Sequence, residues 1–434
     1  AGIETWGLEK TLKKAVGMFA FALWDKEKRE LSLARDRMGE KPLYYGCNNG
    51  ILFFGSELKA FKAHPQFHGE VDRDVVALFL RHNCIPAPYS IYHGIKKLTP
   101  GTYLSIPTEK FLDADEIEPI TYWSLEEVAY EGQAQPFSGT EEEAVNELGR
   151  LLQQSVNGQS IADVPLGAFL SGGIDSSMVV ALMQAGSAKP VKTFTIGFDE
   201  SGYNEAKHAK AVARHLGTEH TELYVSPEEA RDVIPKLPSL YDEPFADSSQ
   251  IPTSLISQLT RKHVTVSLSG DGGDELFGGY NRYLWTRSIW NATKWLPSPM
   301  QSLTSRMLES LSEKNWDALY GLVDFAVPKS HKISQAGIKM HKLAEVITAP
   351  NPDLIYRALI SHWKSPCKAV SHSQEPHTVL TGEIGGVRSN DIEQRMMLLD
   401  GLTYLPDDIL VKVDRAAMRV GLETRVPFLD HRVV

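Results

Sequence analysis

The chain reads as an α/β protein, with a parallel sheet in its second half preceded by an antiparallel α+β region. Three observations predict this. From about Thr140 onward, strand-length apolar runs alternate with amphipathic helical patterns, the rhythm of βαβ units. From Val16 to Ser56, short apolar segments bounded by Asp, Asn and Gly follow one another at hairpin spacing. Between Pro107 and Thr140 the periodicity fades while Pro, Glu, Asp and Gly accumulate. The expected organisation is therefore a first domain over residues 1–106, a linker over 107–140 and a second domain over 141–434.

In the first domain, strands are expected at Val16–Asp25, Leu31–Asp36, Leu43–Gly46 and Ile51–Ser56. Helices follow at Glu57–His64 and Asp72–His82. Gly94 to Ile106 reads as a further hairpin turning at Pro100-Gly101. In the second domain, Thr140 with Glu143 three residues on has the form of a capping box, starting a helix to about Val156. Strands are expected at Val164–Leu170, Val191–Phe198, His220–Val225 and Val264–Leu268. Helices are expected from the loop after Leu170 through Met183 and at Glu205–Leu216. Beyond Tyr280 the chain turns helical and Trp-rich, with no strong strand until its end.

Composition narrows the function. A formal net charge of -10, with no basic block, argues against nucleic acid or an anionic membrane as partner. Cys47, Cys84 and Cys367 form no CxxC, which excludes a disulfide framework or a zinc cluster and suits a reducing cytoplasm. The histidines show no metal-binding spacing. No run of about 18 apolar residues could span a membrane, and no signal peptide opens the chain. Residue one is Ala, and Trp6–Met18 already reads as a helix running into a strand, so a piece of a longer product is expected.

Two loops carry the chemistry. Leu170-Ser171-Gly172-Gly173-Ile174-Asp175-Ser176-Ser177 leaves an apolar strand and opens a helix. That context aims backbone N–H groups and the helix dipole at one spot, where an anion sits. Gly172 and Gly173 let the backbone approach it, and the serines add hydroxyl donors. No Lys follows, so this is not the phosphate loop of kinases and GTPases. Asp175 opposes an anion unless a cation intervenes, and a Mg²⁺ bridging phosphate oxygens resolves the conflict. The second loop, Ser269-Gly270-Asp271-Gly272-Gly273-Asp274-Glu275, also leaves an apolar strand and clusters three carboxylates. Two such loops at the ends of parallel strands make their shared crevice the expected ligand site.

SGGIDSS, SGDGGDELFGGY, Asp414-Arg415-Ala416-Ala417-Met418 and ETRVPFLD, taken together, resemble the glutamine-dependent asparagine synthetases of the bacterial B type. The resemblance covers nearly the whole chain. GMFAFALWD, ARDRMGEKPLYY and GSELKAF look like the later part of that family's Ntn-type glutaminase domain. The fold it implies is a partial α+β Ntn-hydrolase domain with an antiparallel sheet, then an ATP-pyrophosphatase-like synthetase domain with a helical C-terminal part. It implies ATP and Mg²⁺ as cofactors, aspartate as acceptor, and ammonia from glutamine in the full-length protein, with a homodimer as a candidate assembly.

Carried over by motif, Leu170 and Ile196 are nucleotide-binding positions at strand ends. Ser171, Gly172, Gly173, Asp175 and Ser176 form the pyrophosphate loop, and Ser269 and Gly270 also touch the nucleotide. Asp175 and Asp274 are the Mg²⁺ carboxylates. Asp271 is the catalytic position tied to forming a β-aspartyl-adenylate; many members have Glu there, and relatives that close a β-lactam ring have an aromatic. The cluster Tyr241–Ser249 lines the acceptor pocket by family position or serves as a helix-capping loop, and Arg415, Arg425 and Asp430 are expected to form an ion-pair network behind the site. The family's N-terminal cysteine nucleophile has no counterpart here, since Cys47 falls in a strand region. Its C-terminal lysine lies beyond the PFLD motif. The chain as given is therefore expected not to hydrolyse glutamine. Within the enzyme class, an amidotransferase for another carboxylate, such as a sugar acid of a surface polysaccharide, remains open. So does a non-catalytic nucleotide-binding paralogue.

Overall fold

Apolar alternation builds the N-terminal strands. In the computed structural model, which describes residues 1–198, 205–323, 336–382 and 391–434, these are β1 (Ala20–Asp25), β2 (Glu30–Arg35), β3 (Tyr44–Asn48), β4 (Ile51–Gly55), β5 (Ile95–Lys97), β6 (Thr102–Pro107) and β7 (Ile120–Thr121). They form two antiparallel sheets, β1-β2-β6-β7 and β4-β3-β5. Leu31 and Leu33 of β2, Tyr45 of β3 and Leu104 and Ile106 of β6 share one buried cluster between the sheets. Ala34 turns to the other face, where Leu12 of the helix Leu8–Lys14 covers it with Tyr103 and Tyr122. β2 is thus covered on both faces. Each of its fully buried leucines contributes roughly 1.5–3 kcal/mol.

One expectation needs correction. Gly94–Ile106 is not a hairpin: β5 pairs with β3, whereas β6 pairs with β2. The chain switches sheets at Pro100-Gly101, where the Gly101 N–H donates to the Asp36 carbonyl instead of closing a two-strand turn. The segment 107–140, expected as the linker, carries structure of its own. It holds a 3-10 turn at Thr108–Asp113, β7 and the helix Leu125–Ala134. Tyr122 is buried and its hydroxyl donates to the Arg35 carbonyl, which ties this stretch to the N-terminal sheet.

The helix Glu141–Gln159 starts at the expected capping box. The Thr140 hydroxyl accepts the Glu143 N–H, and the Glu143 carboxylate accepts the Thr140 N–H. Then come β8 (Leu166–Phe169), β9 (Lys192–Phe198), β10 (Glu219–Val225), β11 (Val266–Leu268) and β12 (Glu423–Arg425), all parallel, in the order β10-β9-β8-β11-β12. The chain steps outward from β8 to β9 and β10, then returns to place β11 on the other side of β8. That reversal is the point at which open α/β sheets leave a crevice at the strand ends. The helices Ile174–Ala185 and Ala206–Leu216 pack on the sheet through Val179, Val180, Met183, Ala209 and Ala213. β12 was not anticipated, because ETR is short and polar.

These elements belong to one unit, Ala1–Phe277 with Ser365–Val387 and Leu398–Val434. The other unit, Gly278–Lys364 with Arg388–Met397, is helical, as expected past Tyr280; parts of that run at 324–335 and 388–390 lie outside the described residues. Within it Arg395 grips Asp353 with two 2.7 Å hydrogen bonds.

Candidate active site

The two loops leave adjacent strands and interlock. Leu170 follows the last residue of β8, is 1% exposed, and donates its N–H to the Phe194 carbonyl of β9. The turn after it is knitted by its own serines. Ser171 Oγ lies 2.9 Å from Ser176 Oγ, the Ser171 N–H donates to Ser176 Oγ at 3.2 Å, and the Gly173 N–H donates to Ser171 Oγ at 3.2 Å. Gly172 has φ +82°, and a Cβ there would lie 2.5 Å from the Ala209 nitrogen. Only glycine fits that backbone against the helix Ala206–Leu216. Gly173 is the N-cap of Ile174–Ala185, so Asp175 and Ser176 sit in its first turn, beside N–H groups that lack intrahelical partners. Ile196 lies inside β9 rather than at its end; continuing the register from Phe169 opposite Phe194 sets it level with Ser171.

The second loop presses on the first. A Cβ on Gly270 would lie 2.6 Å from the Ser176 nitrogen, and one on Gly273 would lie 2.5 Å from Asp175 Cγ. Ser269 is anchored by its N–H to the Arg425 carbonyl of β12 and by its hydroxyl to Asp271. Gly270→Ala is therefore expected to wedge the loops apart. Its cost in stability is about 1–3 kcal/mol, and Mg-ATP affinity falls by more than that stability loss would explain. Urea unfolding together with calorimetric titration of Mg-ATP checks this.

The carboxylates crowd the same place. Burial pushes the Asp175 carboxyl above its usual range, and the neighbouring charge of Asp274 pushes it further, with Asp271 adding to the effect. Burial also raises Asp271, against the pull of the Ser269 hydroxyl and of Lys412. Glu275 is buried, at 2% exposure. A pair of like charges brought together by the two loops is what a divalent cation relieves, so Asp175 and Asp274 fit a Mg²⁺. Among the described residues no group of three or more His, Cys, Asp or Glu side chains could hold a metal by itself. A Mg²⁺ here would complete its shell from phosphate oxygens and water, the usual habit of that ion.

Sequence reasoning missed the cation of the site. Lys412 lies in the helix Leu410–Met418, is 8% exposed, and donates to Asp247 at 2.7 Å. Asp247 also shares a hydrogen bond with Asp408. Burial would raise Asp247, but Lys412 and these hydrogen bonds hold it low. Burial and the charge of Asp247 push Asp408 up to about 8, so it keeps its proton at neutral pH. The cluster thus holds one cation, one anion and one neutral acid, and the Lys412 charge also reaches Asp271. Asp247 belongs to the polar stretch Tyr241–Ser249, the only advance signal of this group.

The network expected of Arg415, Arg425 and Asp430 does not form. Arg415, 1% exposed, approaches Glu57 at 3.4 Å; Arg425 pairs with Glu423 at 2.6 Å and caps the Gln159 carbonyl; Asp430 is taken by Arg432. They lie on separate elements facing different neighbours, and each finds a nearer partner.

Parallel strands, a reversal of strand order and two interlocked loop–helix junctions at that reversal define an α/β protein with a crevice at its strand ends. Comparison with known proteins makes this specific. The chain belongs to the asparagine synthase family, which residues 147–434 match, and residues 1–123 match the glutamine amidotransferase domain. It is 32% identical over 431 residues to asparagine synthetase (glutamine-hydrolyzing) 1 of Bacillus subtilis (strain 168), covering 97% of this chain and 61% of that protein. It is 26% identical over 435 residues to asparagine synthetase (glutamine-hydrolyzing) 3 of the same organism, covering 96% and 60%. It is also 28% identical over 444 residues to amidase chry2 of Gibberella zeae, covering 96% and 62%. The chain spans about three fifths of the length of these relatives. Among the described residues no helix is long and apolar enough to cross a membrane.

Proposed function

We propose that the full-length protein makes an amide from aspartate and ATP by way of a β-aspartyl-adenylate, with ammonia released from glutamine. The single observation carrying this reading is the interlock of the two loops, which puts anion-accepting N–H and hydroxyl groups beside Asp175, Asp274 and Asp271. Family membership and the matched amidotransferase region support it.

In this reading residues 1–106 and 141–434 act as glutaminase-type and synthetase regions. Leu170 and Ile196 flank the nucleotide. The Ser171–Ser176 loop, with Ser269 and Gly270 against it, holds the pyrophosphate portion of ATP as the aspartate side-chain oxygen attacks the α-phosphorus and the bond to pyrophosphate breaks. The first-turn N–H groups of the helix Ile174–Ala185, which lack intrahelical partners, are the preorganised donors that stabilise the departing charge. Asp175 and Asp274 would hold a Mg²⁺, which neutralises phosphate charge when bound. Asp271, fixed by Ser269 and facing the field of Lys412, lies where the acyl group forms. Ammonia then attacks the acyl carbon and AMP departs. A cytoplasmic site of action and a homodimer accord with the reading.

ATP–pyrophosphate exchange by the full-length protein tests it. Exchange is expected with aspartate. Exchange with uronic acids and not with aspartate would move the acceptor to a sugar acid, and Mg-ATP binding without exchange would leave a nucleotide-binding module.

A further inference from the structure

Glu243 stands four positions before Asp247 in the same loop, yet it faces the other way. Its carboxylate is buried among N-terminal residues. Tyr44 Oη donates to Oε2 at 2.9 Å, Lys97 Nζ lies 2.9 Å from Oε2, and the Ile91 N–H donates to Oε1 at 2.8 Å. Lys97, also bonded to the Ile85 carbonyl, is as deeply buried as its partner, so this is a satisfied interior ion pair rather than a surface contact. The residue just before Glu243 is unusual as well. Asp242 has φ +65° and ψ -37°, a sparsely populated conformation for a residue with a Cβ, and its carboxylate sits 3.4 Å from Lys59. A backbone held there is over-determined by its surroundings. The loop is therefore pinned at one end by the N-terminal sheet region and at the other by Lys412.

We propose that Glu243, held by Lys97, is a positioning residue through which the N-terminal region sets the Asp247–Lys412 pair in the synthetase site. Only Pro244, Phe245 and Ala246 separate the two carboxylates, so releasing Glu243 lets Asp247 withdraw and leaves Lys412 without its fixed partner. The structure of the relay is independent of which substrate the site takes; only its kinetic consequence rests on the function proposed above.

The test uses the full-length protein in wild-type, Glu243→Gln, Lys97→Met and Asp247→Asn forms. The acetylation rate of Lys412 by a water-soluble amine reagent is read by peptide mass spectrometry. Lys41, paired with Asp414 at 2.7 Å in the same unit, serves as the internal control. Asp247→Asn is expected to accelerate Lys412 directly. Glu243→Gln and Lys97→Met are expected to accelerate it about tenfold, the change in local opening that follows loss of one buried charge-assisted bond, with Lys41 unchanged. In ATP–pyrophosphate exchange the same variants raise KM for aspartate more than they lower kcat. An unchanged Lys412 rate in both variants overturns the proposal. So does a parallel rise at Lys41, which would mean general loosening of the N-terminal region. If wild-type protein shows no exchange, the functional reading fails and the labelling result still decides the relay.

Discussion

Lys412→Met is expected to be the most damaging single substitution in the site. Removing one member of a buried ion pair leaves the other charge desolvated and unpaired, at a cost of about 3–5 kcal/mol. Here Asp247 loses the 2.7 Å bond that holds it ionised, and Asp271 loses a favourable charge at the same moment. Both carboxyls then rise toward the neutral form, and amide synthesis is lost even where the fold survives. Urea unfolding at neutral pH reads the first effect and ATP–pyrophosphate exchange the second.

The same cluster sets a pH dependence whose sign differs from ordinary acid unfolding. Asp408 carries a folded value of about 8 against an ordinary 3.8. Between those values the folded protein holds a proton that the unfolded chain has released, so this group's contribution to stability declines as pH rises through the window and levels off above it. Asp247, held low, contributes in the opposite sense: its stabilisation is present at neutral pH and is lost on acidification. Asp408→Asn removes the first component, and its amide N–H can still donate to Asp247 in place of the lost proton. The variant is expected to lose less stability than wild type as the pH is raised toward about 8. Equal slopes in urea unfolding across that range would show that Asp408 does not hold the proton.

Asp175→Asn has the second-largest effect, and it splits in two. Without ligand the variant is expected to melt at the same temperature as wild type or higher, because burial and Asp274 make a charge at this position unfavourable. With Mg-ATP the order reverses. Ligand at a hundred times its Kd stabilises the wild type by about 2.7 kcal/mol, and a variant that cannot hold the cation gains little of this. Thermal melts with and without Mg-ATP check both halves. An equal ligand-induced shift in the two proteins would remove Asp175 from the site.

The loops were legible because their chemistry is local: glycines, serines and an aspartate within eight positions after an apolar strand. The capping box at Thr140 and Glu143 is local in the same way. What escaped was non-local. Pro100-Gly101 has the composition of a hairpin turn, and nothing nearby tells that β5 seeks Tyr44–Gly46 while β6 seeks β2. At Gly46 a Cβ would fall 1.9 Å from the Gly94 carbonyl oxygen, so this glycine is explained only by a strand fifty positions later. Lys412 looks like one cation in an ordinary helical run, and its partner lies 165 positions earlier. Arg425 and Asp430 were grouped by nearness in the motif, whereas their partners were chosen by the faces on which they stand.

The late position of β12 bears on how the chain is made. β11 emerges from the ribosome with one neighbour, β8, already synthesised, while its other neighbour lies more than 150 residues downstream. Until residues 423–425 appear, an apolar strand edge beside the second loop stays unpaired, and the Ser269 N–H lacks its carbonyl. Such long-range parallel pairing is slow and exposes a sticky template meanwhile. Nascent chains stalled between β11 and β12 are therefore the species most in need of a chaperone, and the two loops acquire their final shape only when synthesis has passed the PFLD segment.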